Sequence, residues 1–330
     1  MLTGRSKTHQ PRKGGPKNSP AGSSLKWWAH KPSYMNVRQI THFHFSQMRR
    51  IRGFGSRHRY RYLILYLYAE IDRYPYSRAV AEEIWHEFPS GSATFLAINN
   101  FAAGDATTQF AADGFDISGD NTEWDFSGWQ RGVDWAQSRG IHFDVVIFIN
   151  DAFLRESSAG KDRWHFRSMF NPITLSKLGY GVVGHVSAVH EIHRLIDFEC
   201  SHWIRTNAFA ASSRLVMGSS LVTVTRHNSA HWLPSEWTGD VLLPLAPVNG
   251  AFRKMLNEWL GVKWERAGPI NHSNWPFFRQ KALAIINERL LSARWAATGA
   301  RFFEKGRVQL TSGASPLIER TLPQLKATHL

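Results

Sequence analysis

Cysteine is almost missing from this 330-residue chain: Cys200 stands alone, so no intrachain disulfide can form. Such a chain suits a reducing compartment. Long apolar runs are missing too. The longest, Tyr62 to Ala69, falls far short of the roughly 20 residues that a membrane-spanning helix needs. The opening MLTGRSKTHQPRKGG lacks the apolar segment of a signal peptide. Together these absences predict a soluble, cytoplasmic protein. Nucleotide-loop motifs are also lacking. No Gly-x-Gly-x-x-Gly follows the first apolar run and no Gly-Lys-Ser/Thr occurs, which argues against a dinucleotide enzyme, a Walker-type ATPase or a typical methyltransferase. Ser212 and Ser213 lack the Gly-x-Ser-x-Gly setting of a serine hydrolase.

Acidic residues are absent before Glu70, whereas fourteen of the 40 Lys and Arg lie at or before Arg61. The other 26 basic residues are matched by 26 acidic ones, so the net charge of +14 belongs to the N-terminal segment. A nucleic-acid-binding fold more often carries its basic patch on the folded body, which makes nucleic acid a poor partner here. Residues 1–60 read as a basic, disordered tail, rich in Gly, Pro, Ser and Lys. Within it MRRIRGFGSRHRYR, 48 to 61, interleaves aromatics with arginines. Such a run suits an anionic membrane surface or RNA, a solvated arm, or a translation start at Met35 or Met48. The first of these would place the protein at the membrane periphery.

What is abundant is core. Apolar residues make up 43% of the chain and aromatics 13%, with 14 Trp, so residues 61–330 read as a single globular domain. YLILYLYAE (62 to 70) predicts a buried strand, and SRAVAEEIWHEF (77 to 88) a helix capped by Ser77. ATFLAINN (93 to 100) predicts a second strand. DFSGWQRGVDWAQSRG (125 to 140) sets Phe126, Trp129, Val133 and Ala136 on one helical face, with Gly140 as a stop. FDVVIFIND (143 to 151) is the third strand. This rhythm predicts an α/β fold with a mostly parallel sheet flanked by helices. Residues 61–155 then form one half of the domain and 156–330 a less regular second half. There GYGVVGHVS (179 to 187) and WIRTNAFAAS (203 to 212) look like strands, and LVTVTR (221 to 226) like a strand or a turn. Helices are predicted over 250–261, with Asn249 as cap and Gly261 as stop, and over 277–299 after Pro276.

In open α/β sheets ligands bind outside the carboxyl ends of the strands. The three strands end there in Glu70-Ile71-Asp72, Asn99-Asn100 and Asn150-Asp151. Asp151, with Asn150, offers oxygen ligands of the kind Mg²⁺ or Mn²⁺ prefers. The same dipeptide also reads as a turn bonded to its own backbone. His185, His190, Glu191 and His193 suggest a zinc site if they lie on a helix, and surface histidines otherwise; His42 and His44 form a separate pair.

The segment GDNTEWDFSGWQRGVDWA…FDVVIFINDAF resembles the signature of glycosyltransferases related to rhamnan and O-antigen synthesis proteins. The matching pieces are Asn121, Asp125-Phe126, Gly128-Trp129, Gly132 and Asn150-Asp151, with WIRTNAFAASSRLV (203 to 216) similar to a later strand of that family. The resemblance implies a GT-A-like fold that takes a nucleotide-sugar donor and a carbohydrate acceptor. The nucleotide-sugar would occupy the first half and the acceptor the second. With the strand ends Glu70 and Asn99, it makes Asn121, Asp125, Trp129, Asn150, Arg205 and Asn207 the candidate residues for binding the nucleotide-sugar. Asp151 would organise a divalent metal or the diphosphate. Asn150-Asp151-Ala152 lacks a second carboxylate two residues on, and Ser127 stands where the family often has glycine. Asp125 either bonds a sugar hydroxyl or caps its helix. Trp129 either stacks on the ligand or fills the core, and Arg205 meets phosphate, acceptor or a structural carboxylate. Of Glu191, Asp197 and Glu199, Asp197 is the first candidate for the base.

Overall fold

The structure, a computed structural model, describes residues 60–304 apart from 70–73, 75, 103, 155–165, 167–168, 240–244 and 264–267. The basic tail, except Tyr60, and the site candidate Glu70 lie outside the described residues, as do Asp72, His42 and His44. Strand β1 (Tyr62–Tyr68) shows how the sequence makes two faces. Leu63, Leu65 and Leu67 enter one apolar core, while Tyr62, Ile64 and Tyr66 enter another on the opposite side. A period of two with both phases apolar demands burial on both faces.

Helix α1 (Ser77–Trp85) returns the chain to β2 (Ala93–Asn99), which pairs parallel with β1. A hairpin of β3 (Thr107–Ala111) and β4 (Gly114–Ser118) follows, β4 running parallel to β2. Helix α2 (Asp125–Ser138) then crosses back over the sheet and feeds β5 (Val145–Asn150) onto the other side of β1. A 3-10 turn, Asp151–Leu154, and the short helix α3 (Pro172–Leu175) lead to β6 (Gly181–Leu195) and β7 (Phe198–Ser212), an antiparallel pair of 15-residue strands. Helix α4 (Ser213–Met217), helix α5 (Gly250–Lys263), helix α6 (Trp275–Ala297) and strand β8 (Arg301–Glu304) complete the chain. The strand order is β3-β4-β2-β1-β5-β7-β6-β8. Only β3 and β7 run against the other six, so the fold is α/β with a mostly parallel sheet.

Helices α2, α4 and part of α6 cover one face; α1, Phe166 and residues 169–178 cover the other. Trp129 sits at the centre of the first core, fully buried, with its ring 5.4 Å from Phe148, 5.6 Å from Phe209 and 5.9 Å from Phe126. A third core lies beyond the sheet. There the distal part of the β6–β7 hairpin (Leu195, Cys200) packs on α5 and α6 through Phe252, Leu256, Trp275, Phe278 and Ile286. Each such side chain, fully buried, stabilises the fold by roughly 1.5–3 kcal/mol. Helix α6 spans both systems, since Leu291 and Trp295 belong to the sheet core and Phe278 and Leu290 to the distal one. No described helix is long and apolar enough to cross a membrane.

Several local expectations need correction. Ser77 does not cap α1: its hydroxyl bonds Tyr74 O and shares a 2.5 Å hydrogen bond with the buried Tyr66 hydroxyl, and Tyr76 takes the cap position. Gly261 does not stop its helix, which runs on to Lys263. Asn249 does cap that helix, accepting from Phe252 N at 3.1 Å. Residues 221–226 form no strand, because their backbone is satisfied by a side chain. The Asn287 amide accepts from Thr223 N (2.9 Å) and Val224 N (2.7 Å) and donates to Val224 O (2.9 Å).

Two glycines let α2 lie directly on the sheet. A Cβ on Gly128 would stand 2.3 Å from Leu67 Cδ1 and 2.8 Å from Asn100 Oδ1; one on Gly132 would stand 2.7 Å from Ile98 Cδ1. Gly128→Ala is therefore expected to destabilise by about 1–3 kcal/mol despite alanine's better helix propensity, read as a lower urea midpoint. Asn287→Ala orphans two buried donors and an acceptor, and should lose at least about 3 kcal/mol in the same measurement.

Candidate functional site at the carboxyl edge of the sheet

The chain order reverses at β1. From β1 it builds outward through β2 and β4, then α2 carries it to β5 on the opposite flank. The loops after β1 and β5 therefore diverge and leave a crevice, the switch point at which open α/β sheets bind ligands. Two groups close its floor. The Asp151 carboxylate is buried and accepts the Ala69 backbone N–H at 2.8 Å, tying the end of β1 to the end of β5. On the other flank Asn100, also buried, accepts from Asn121 N (3.2 Å) and donates to Asn121 Oδ1 (3.0 Å) and Trp124 O (3.2 Å). Its own N–H reaches Tyr68 O at 2.8 Å.

That knot shapes the entry to α2. Asn121 and Trp124 both have positive φ, 49° and 56°, a conformation that non-glycine residues adopt only under constraint. The constraint delivers Asp125 as the first residue of the helix. Asn150, whose side chain leaves β5 on the α2 face, donates from Nδ2 to Asp125 Oδ2 at 2.8 Å. Its amide oxygen is buried and has no hydrogen-bond partner among the described residues. Asp125 thus meets another side chain rather than capping its helix; Trp124 holds the cap position without a side-chain bond.

The carboxyl group of Asp125 is pushed up to about 6, chiefly by burial and further by the charges of Asp151 and Glu288; the Asn150 hydrogen bond and Lys281 pull the other way. Glu288 on α6 is likewise raised by burial, against Arg289, Arg205 and the Thr206 hydroxyl, which donates to Glu288 Oε2 at 2.9 Å. The Lys281 ammonium lies 3.6 Å above the Trp124 ring. The edge therefore gathers carboxylates from α2, β5 and α6 with the cations Lys281 and Arg205 close by. Water is partly excluded, so each charge is felt strongly.

Not every expected residue joins this group. Asn99 and Asn121 stand at the edge as scaffolding: Asn99 Oδ1 accepts from Phe101 N at 3.1 Å. Asn207 lies one step beyond the last β5–β7 pair, Ile149–Ala208, and so beside the end of β5. Arg205 donates to Ser187 Oγ at 3.2 Å on the neighbouring strand. Trp129 is core and offers no ring to a ligand. Asp197 sits exposed in the turn of the β6–β7 hairpin, on the order of 30 Å of strand beyond the level of Asn207. It is no candidate for a base acting at this edge. Glu199, near the same turn, pairs with Arg194 at 2.9 Å. His185, His190 and His193 lie on a strand instead of a helix; His190 is exposed and His193 buried, and they form no metal-holding group among the described residues. Helix α6 carries what sequence reasoning missed. Lys281 and Glu288 stand seven residues apart on one helical face, a spacing shared with any solvated charge pair.

A divalent ion fits the edge poorly. Asp151 already accepts one backbone bond through Oδ2, Asp125 one amide bond, and no group of three Asp, Glu, His or Cys among the described residues is arranged to hold a metal.

Compared with known families and with curated proteins, the sequence matches no family model and no curated protein.

A raised carboxyl makes a directional prediction. With its folded value above the ordinary one, Asp125 binds its proton more tightly in the folded state, so its contribution to stability falls as pH rises from about 4 to about 6. His193, held down to about 4 by burial and by Arg289, works oppositely, stability falling as pH drops below its ordinary value. Asp125→Asn should keep the Asn150 bond, remove the first trend, and gain on the order of 1–3 kcal/mol at pH 7 but little at pH 4, read by urea unfolding at both pH values.

Proposed function

We propose that the protein is a glycosyltransferase of GT-A-like architecture, moving a sugar from a nucleotide-sugar to a carbohydrate acceptor at the carboxyl edge of β1, β2 and β5. One observation carries this reading. The switch-point crevice brings together Asp125, Asn150 and Asp151, the residues of the glycosyltransferase-like motif, although 25 residues of sequence separate the first two.

Transfer needs a base for the acceptor hydroxyl and a counter-charge for the departing diphosphate. Asp125 suits the first task, since a carboxylate tuned towards neutrality accepts a proton best near working pH. The acceptor oxygen would bond to the anomeric carbon as the carbon–oxygen bond to the diphosphate breaks. The hydroxyl proton would pass to Asp125, and the electron pair would leave with the nucleotide. Lys281 and Arg205 supply positive charge at the same edge. The unpartnered Asn150 Oδ1 would accept a sugar hydroxyl, and Asp151 holds the floor of the crevice through Ala69. No step is routed through a metal, because the described donor set does not fit one.

Two measurements test the reading. In a thermal-shift panel of uridine, guanosine and thymidine diphosphate sugars, with and without Mn²⁺, at least one donor should raise the melting temperature; binding at 100 times Kd stabilises by about 2.7 kcal/mol. Asp125→Asn should then lower kcat by roughly 10²–10⁴ at unchanged donor affinity. A panel without any shift, or full turnover by the variant, would overturn the assignment. Partner binding that survives in the panel's absence but vanishes on deleting residues 1–60 would instead favour a non-catalytic protein acting through its basic tail.

A further inference from the structure

Next to the carboxylate group, where the loop entering α2 meets the first turns of α6, lies a cleft of about 200 Å³. Its lining includes Glu123, Trp124, Arg226, Ser229, Arg279 and Gln280. That volume is below the roughly 300–1,000 Å³ of sites for drug-sized molecules and suits a single sugar ring better than a nucleotide.

Three features of the lining narrow what it takes. The wall is strained: Trp124 keeps φ 56° and ψ −135° at the head of α2, held there by the Asn100 amide on its carbonyl. Conformations this costly persist where surrounding bonds over-determine them, and they cluster at ligand clamps. The Trp124 indole N–H is buried and has no hydrogen-bond partner among the described residues. An orphaned donor of this kind costs about 1–3 kcal/mol, which an acceptor atom on a ligand would relieve. The charges are one-sided. Glu123 is already engaged, accepting from Arg226 N at 3.0 Å and from the Thr122 hydroxyl. Arg226 donates through Nε to Thr122 O at 3.1 Å, and Arg279 through Nε to Pro234 O at 3.0 Å and through Nη2 to Ser229 Oγ at 2.9 Å. Those carbonyl and hydroxyl partners orient the guanidinium groups without neutralising them. The cleft thus offers N–H donors, positive charge and an indole, one face of which carries the Lys281 ammonium, while the Glu123 carboxylate of its lining is occupied.

We infer that this cleft binds an anionic sugar unit, a pyranose bearing a carboxylate, with Arg226 and Arg279 receiving the carboxylate and Trp124 the ring. Guanidinium groups match carboxylates in shape and charge, and an indole covers the apolar face of a pyranose. Asp125 follows Trp124 in sequence but bonds Asn150 and does not line the cleft, so a sugar held here would serve as the acceptor only by extending from the cleft to that carboxylate. The acceptor role rests on the transfer reading above; the binding does not.

The full-length protein is titrated with methyl β-glucuronide, methyl β-glucoside and inorganic phosphate, following the ¹⁵N-indole signal that disappears in Trp124→Phe. Glucuronide should move that signal saturably, with affinity at least about tenfold above glucoside, since a charge-assisted bond to carboxylate exceeds a neutral one by that order. Arg279→Gln should remove the preference; Arg226→Gln, at an exposed position, gives the same reading if the first variant fails to fold. A Trp124 signal unmoved by glucuronide, equal affinity for glucoside, or phosphate binding as tightly as glucuronide would each overturn the inference. Glucuronide binding in a protein that ignores every nucleotide-sugar keeps the saccharide site and rejects the transferase. Donor binding without glucuronide binding does the reverse.

Discussion

Everything at the carboxyl edge depends on how closely α2 approaches the sheet. Gly128 and Gly132 remove the side chains that would hold the helix off β1 and β2, and the Asn100 amide fills the space at the head of the helix. With that spacing fixed, Asp125 reaches Asn150 across the end of β5. The loop before the helix must then turn through two left-handed residues, Asn121 and Trp124. The strain is local, and the bonds to Asn100 and the packing of Trp129 beneath hold it in place. A helix raised by one methyl group would release both the strain and the carboxylate.

The electrostatic character of the edge follows from what is packed over it. Burial chiefly, and the charges of Asp151 and Glu288 after it, raise the cost of ionising Asp125, and burial does the same to Glu288. Part of the compensation comes from Lys281 and Arg205. Arg289 contributes from behind: buried between the hairpin and α5, it lies 3.1 Å from the Trp203 ring, and two of its nitrogens have no hydrogen-bond partner among the described residues. An arrangement this uneven stabilises the fold poorly, which is common where charges are placed for chemistry. Cys200, at the same depth, is an inert thiol pushed up to about 11 by burial.

The central strands and their two helices were legible because β1, β2 and β5 are apolar in both phases and α2 repeats at helical spacing. The β3–β4 hairpin was not, since β3 carries mostly exposed residues and so shows no pattern of burial. The length of β6 and β7 was missed for a related reason: in HEIHRL only His193 and Leu195 are buried, a polar-looking stretch until α5 and α6 are seen covering one side. At the site, the strand-end residues Asn150 and Asp151 were visible from their position. Trp129 matched the motif, yet its helical register points into the sheet. Asp197 had the right chemistry at the wrong end of a hairpin whose length could not be read. Lys281 and Glu288 carried no local signal, because only tertiary packing brings α6 to the edge.

Helix α6 joins the sheet core to the distal core and brings Lys281, Glu288 and Arg279 to residues made more than 120 positions earlier in synthesis. The strands around β1 can pair and bury much of their surface while α6 is still inside the ribosome. The charges cannot assemble until it emerges and docks. The order of translation therefore keeps the edge chemically incomplete until α6 has been made and docks.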